Sequence, residues 1–112
     1  MVLLEPILVE ENTIVSIEVK LPKTNLLILK ADLGYVMCGA LDVAFLSNDL
    51  SHRQIIAARA VGVKTINELL NGTIDSCTPA SQSLGIREKM PVREALLLMC
   101  TSKPIMDTRK RA

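Results

Sequence analysis

From Ile14 onward the chain alternates between apolar and polar side chains: Val15, Ile17, Val19 and Leu21 oppose Ser16, Glu18 and Lys20. A period of two predicts a half-buried strand over 14–21, with its Ser16, Glu18 and Lys20 face in water. ILVE predicts a partner strand over 7–10, joined through the polar turn Glu11, Asn12 and Thr13. After Pro22, Lys23 and Thr24, the segment NLLILKA (25–31) is apolar on consecutive positions, and a strand apolar on both faces has to be covered on both. Asp32, Leu33 and Gly34 form the next turn, and YVMC predicts a fourth strand over 35–38, completing an antiparallel meander.

The spacing then changes. Leu41, Ala44 and Phe45 share one side of a helix over 41–52, with Asp42, Asn48 and Asp49 elsewhere. QIIAARAVGVK returns to strand, with Ile55, Ala57, Arg59, Val61 and Val63 on one face; a place beside YVMC brings Arg59 near Asp42. In TINELLNG, Thr65 and Glu68 have capping-box spacing and Gly72 suits a left-handed C-terminal position, which predicts a helix over 66–71. Residues 74–84 continue as a helical stretch broken or started by Pro79 and ended by Gly85. The last helix starts at Pro91 and runs to about Thr101, before Pro104. Strands first, then helices with one further strand, describe an α+β fold.

Length allows one such domain, placed over 1–102: 112 residues bury somewhat under ~70% of the surface the unfolded chain exposes. Hydrophobic residues make up 49% and aromatics 2%, so the core is aliphatic. A mean hydropathy of +0.34 on so short a chain predicts that part of the apolar surface is covered by further copies of the chain. The apolar runs LLIL and ALLLMC fall far short of the ~20 residues of a membrane span. Glu5, Glu10 and Glu11 stand where a secretory leader carries Lys or Arg, so the expected location is the cytoplasm. Cys38, Cys77 and Cys100 are widely spaced without a CxxC pair, the usage of reduced thiols; with one histidine in the chain, neither a metal site nor another cofactor is expected.

Charge is uneven. Lys103, Arg109, Lys110 and Arg111 against Asp107 give residues 103–112 a net of +3, read as a basic disordered tail, and leave −2 on the body. A weakly acidic body lacking interleaved aromatics argues against a nucleic-acid surface. TINELLNGTIDSCTPASQSLGI has helix-turn-helix length, but its second half carries no Lys or Arg before Arg87 to hold phosphate.

Two constellations carry candidate chemistry. Cys38 ends a strand just before Gly39, Ala40 and a helix, a position where helix amides lower a thiol's pKa and make it a nucleophile. His52, in the polar SHRQ segment, is the one imidazole available as its base. Against this, free cysteines are commonly buried as small hydrophobes, and Gly39 and Ala40 serve a tight turn equally well. Arg59 emerges among Ile55, Ala57, Val61 and Val63 and needs an anion. Asp42 is the partner expected if the pair is structural; the alternative is a small carboxylate or phosphate ligand bound by Arg59, Asp42 and Gly39 where subunits meet.

Taken together and in this order, KLPKTNLLIL, GYVMCGALDV, IIAARAVGV and REALLLM resemble the YunC-like family, a bacterial and archaeal domain of unknown function, over most of residues 10–100. The resemblance implies a cytoplasmic homo-oligomer, a tetramer formed through the N-terminal β region, and brings no catalytic residues with it. The chain departs from the family in the basic extension after Cys100 and in Pro91, where a Thr-type cap is expected.

Overall fold

The computed structural model describes residues 1–48 and 50–100. Its elements are β1 (Val2–Val9), β2 (Asn12–Leu21), β3 (Thr24–Lys30), β4 (Tyr35–Met37), α1 (Val43–Asn48), a 3-10 turn (Ser51–Arg53), β5 (Ala57–Arg59), α2 (Ile66–Leu70), β6 (Ser76–Cys77), α3 (Pro79–Ser83) and α4 (Val92–Leu98). Among the described residues the strands form one sheet in chain order, antiparallel throughout except for the parallel pair β4 and β5, which α1 connects. The fold is α+β, as the sequence predicts. No described helix is long and apolar enough to cross a membrane. The end of the domain at 102 and the tail 103–112 lie outside the described residues.

Two tight turns set the register of the long strands. Val9 pairs with Asn12 across Glu10 and Glu11, both at positive φ (51° and 72°), the geometry of a type I′ hairpin. Leu21 pairs with Thr24 across Pro22 and Lys23, with Lys23 at φ 68°. The first turn therefore falls at Glu10–Glu11, ahead of the polar triplet read from sequence, and Asn12 steadies it by donating its amide to the carbonyls of Val9 and Glu10. β1 starts at Val2, well before residue 7. Pro6 hides this start in the sequence, yet an edge strand tolerates proline where the N–H would face away from its neighbour.

Helices α2 and α4 cover one face of the sheet, where Leu69, Val92, Ala95, Leu96 and Met99 are buried with Leu27, Leu29, Val36 and Ile14. The register carries this face across the strands through Glu5, Ser16, Leu29, Val36, Ala58 and Cys77. Ser16 is therefore buried rather than wet, its hydroxyl donating to the Glu5 carbonyl at 3.2 Å. Of the expected polar side of β2, Ser16 is buried toward the helices while Lys20 stays exposed, and among the described residues α2 and α4 lie on the side opposite Val15, Ile17 and Val19.

Local signals account for the helices. Thr65 accepts from the Glu68 N–H at 3.0 Å, while the Glu68 carboxylate accepts from the Lys64 N–H at 2.7 Å, one residue earlier than in the simplest capping box. Gly72 does not take the left-handed conformation; Gly85, at φ 97° behind α3, does. The predicted strand over 54–64 shortens to three residues because β4, its partner, offers only three. The helical stretch 74–84 divides into β6 and α3. Thr78 stands at that junction: its Oγ1 donates to the Ile55 carbonyl at 2.6 Å and accepts from the Ala57 N–H at 3.3 Å, and Ser81 Oγ donates to the Ala57 carbonyl at 3.0 Å. These bonds tie the α3 N-terminus to β5 and give the Thr78 and Ser81 hydroxyls their partners.

The β3–β4 connection is pinned from two sides. Ala31 N–H donates to the Gly34 carbonyl at 2.9 Å, and Leu33 N–H donates to the Met99 carbonyl at 2.8 Å. A Cβ on residue 34 would lie 2.6 Å from Ile56 Cγ2 and would overlap the Ile56 carbonyl oxygen. Gly34→Ala is expected to destabilise the fold by about 1–3 kcal/mol, the range of overpacking substitutions. Thermal unfolding checks this; an unchanged melting temperature would show that the Ile56 backbone yields freely.

Candidate functional site

On the uncovered face the register sets Leu4 beside Ile17, Ile17 beside Ile28, Ile28 beside Met37 and Met37 beside Arg59. A second row runs Val2, Val19, Leu26, and a third Pro6, Val15, Lys30, Tyr35, Ala57. Apart from Lys30 these rows carry no charge until Arg59 is reached. Val2, Leu4 and Leu8 are 58%, 64% and 70% exposed, and Val15, Ile17, Val19, Leu26, Ile28 and Met37 are half-buried. Single exposed leucines are ordinary, but a contiguous apolar face of this kind marks an interaction surface.

The face includes a groove of about 560 Å³ lined by Ile17, Ile28, Tyr35, Met37, Leu33 and Ile56, with Lys30, Asp32 and Gln54 also on its lining. At ~3.4 Å per residue and ~4.8 Å per strand, the long strands present roughly 30 by 15 Å of sheet. That footprint is of the same order as the ~800 Å² per partner of a stable protein interface.

The residues singled out from sequence lie on the β4–α1 connection, in the 3-10 turn and on β5. Cys38 follows β4 on the helix side and is 7% exposed, packed in the core; its N–H donates to the Leu27 carbonyl at 3.0 Å. Its carbonyl accepts from the Leu41 N–H at 3.2 Å, closing a turn through Gly39 and Ala40. A Cβ on Gly39 would meet only Val61, at an ordinary 3.5 Å. Asp42 is exposed and accepts from the Phe45 N–H at 2.9 Å, capping α1. His52 is exposed in the 3-10 turn.

Arg59 finds a different carboxylate from the one expected. Its Nη2 and Nε donate to Asp75 Oδ2 at 2.7 and 3.2 Å, and Nη1 donates to the Leu41 carbonyl at 3.5 Å. Asp75 wins because β6 pairs with β5: Ser76 lies opposite Arg59, and Asp75 N–H donates to the Arg59 carbonyl at 2.7 Å. The two-residue β6 has no periodicity to read, so this partner was not legible in the sequence. Cys77, on the same strand, is buried against the Ile86 carbonyl, and burial raises its thiol pKa, favouring the neutral thiol.

Two outcomes follow. The Arg59 and Asp75 side chains are 32% and 38% exposed, so Arg59→Met or Asp75→Asn should each lower stability by about 1 kcal/mol or less. A much larger loss in thermal unfolding would place the pair in a dry environment. Iodoacetamide at neutral pH should modify half-buried Cys100 ahead of buried Cys38 and Cys77, read by mass spectrometry of peptides; first labelling at Cys38 would contradict its place in the core.

Comparison with known proteins agrees with this architecture. The family model described as "Domain of unknown function (DUF1805)" matches residues 37–99. The uncharacterized protein YunC of Bacillus subtilis (strain 168) is 52% identical over 99 residues, spanning 88% of this chain and 98% of that protein. The crystal structure of a protein of unknown function, TA1206 from Thermoplasma acidophilum, shares the fold with a TM-score of 0.78 at 24% identity, over 88% of this chain and 93% of that one. The chain thus belongs to the DUF1805 family of YunC-like domains, whose function is unknown.

Proposed function

We propose that this domain is a self-assembling module whose open β face is covered by further copies of the same chain. The observation that carries the reading is the polarity of β2: Ser16 is turned inward and satisfied by a carbonyl, while Val15, Ile17 and Val19 are turned outward and only half-buried among the described residues. A sheet that keeps its more apolar side free within the monomer gains by burying it against a partner, at ~25 cal/mol per Å² removed from water. A closed, isologous arrangement serves this face well, because the same patch on both copies is apolar and nearly uncharged. The tetramer implied by the family resemblance is the assembly we adopt, in a cytoplasmic setting.

Arg59 ends the row Leu4, Ile17, Ile28, Met37, so a small carboxylate or phosphate held where copies meet would find it at the margin. That role requires Arg59 to exchange Asp75 for the ligand. A cysteine-dependent reaction at Cys38 requires a buried thiol to leave the core, and the apolar face supports neither chemistry as directly as it supports assembly.

Neighbouring residues of β3 give the test. Ile28 lies on the open face and Leu27 on the helix side, 1% exposed. Ile28→Lys should retain the native circular dichroism spectrum and elute as a monomer, whereas Leu27→Lys should unfold the chain, because it buries an unpaired charge in the core. Ile28→Lys at the wild-type elution volume would overturn the reading.

A further inference from the structure

The edges of the sheet say how a second copy can approach. Lys20 N–H donates to the Met1 carbonyl at 2.9 Å, and this pair shares the register of Val2 with Val19. In an antiparallel ladder, hydrogen-bonded and non-hydrogen-bonded pairs alternate. Leu3, Glu5, Ile7 and Val9 therefore direct their backbone groups at β2, while Val2, Leu4, Pro6 and Leu8 direct theirs at the free edge. Pro6 sits at the one kind of position in β1 where it costs no ladder bond, and there it removes an outward donor between Leu4 and Leu8. An added strand would look for a donor about every ~7 Å and would meet a pyrrolidine ring instead. The opposite edge is β6, two residues long and followed at once by Thr78 and Pro79.

We infer that Pro6 closes the β1 edge to strand pairing, so that assembly through the apolar face stays finite. The inference rests on the self-assembly reading and adds the geometry of contact. An apolar strand with a free edge is otherwise a template for open-ended pairing. Leu4 and Leu8, exposed on either side of Pro6, would make that edge adhesive in the absence of the proline. The same residues present their side chains to the face, so one short segment serves one mode of contact and blocks the other.

Amide exchange on the wild-type assembly reads the edge directly. The N–H groups of Val2, Leu4 and Leu8 should lack the protection seen at Leu3, Glu5 and Ile7; protection of all six would mean that the edge is paired and would overturn the inference. Pro6→Thr should restore the missing donor and yield thioflavin-binding species larger than the wild-type assembly, and adding Leu8→Pro, at the next outward position, should return the mass to the wild-type value. A folded Pro6→Thr protein of wild-type mass would equally overturn it. Ile28→Lys separates the two levels: if that variant keeps the wild-type mass, self-assembly through the face fails, whereas if it dissociates while the edge amides are protected, only the edge-guard inference fails.

Discussion

Side chains on a strand point alternately to opposite faces, so a one-residue slip of β2 would exchange its two faces completely. Everything else in this fold depends on that register. As built, Ile14 and Ser16 lie under the helices while Val15, Ile17 and Val19 face outward. The register is held at both ends by two-residue turns whose residues occupy unusual backbone conformations: Glu10, Glu11 and Lys23 all have positive φ where Asn or Gly is the easier choice. Such strain persists only when surrounding structure determines it, and here the burial of Ile14, Leu27 and Leu29 beneath α2 and α4 does so.

Much of this was legible in the sequence and some was not, for identifiable reasons. The meander, α2 and its Thr65/Glu68 cap follow from period-two alternation and cap spacing, which are local signals. The N-terminal half of β1 was obscured by Pro6, because proline argues against a strand unless one knows that the strand lies at an edge. The polar alternation of β2 gave its two faces but not their assignment: in a chain that covers all its apolar surface by itself, the polar face is the solvent face, and this chain leaves an apolar face open. β6, with two residues, lies below the length at which any pattern exists.

The candidate chemistry followed the same division. That Arg59 needs an anion was readable from its apolar strand neighbours, but the choice of Asp75 over Asp42 depends on the β5–β6 ladder. Asp42 serves α1 as a cap, a role its place before a helix also allows. Cys38 was legible as the end of a strand before a turn, and the structure buries it with the core residues. The outer face of β1 to β4 is apolar and extended, with Lys30 within it and Arg59 at the end of one row.

In the assembly proposed above, the open face of β1 to β4 is covered by other copies of the chain. Sedimentation equilibrium of the unmodified protein, followed from high to low micromolar concentration, tests it most directly. The expected result is a discrete mass that is a multiple of the 12.2 kDa chain, constant over the upper part of that range and free of open-ended growth. A mass of one chain at every concentration would contradict it.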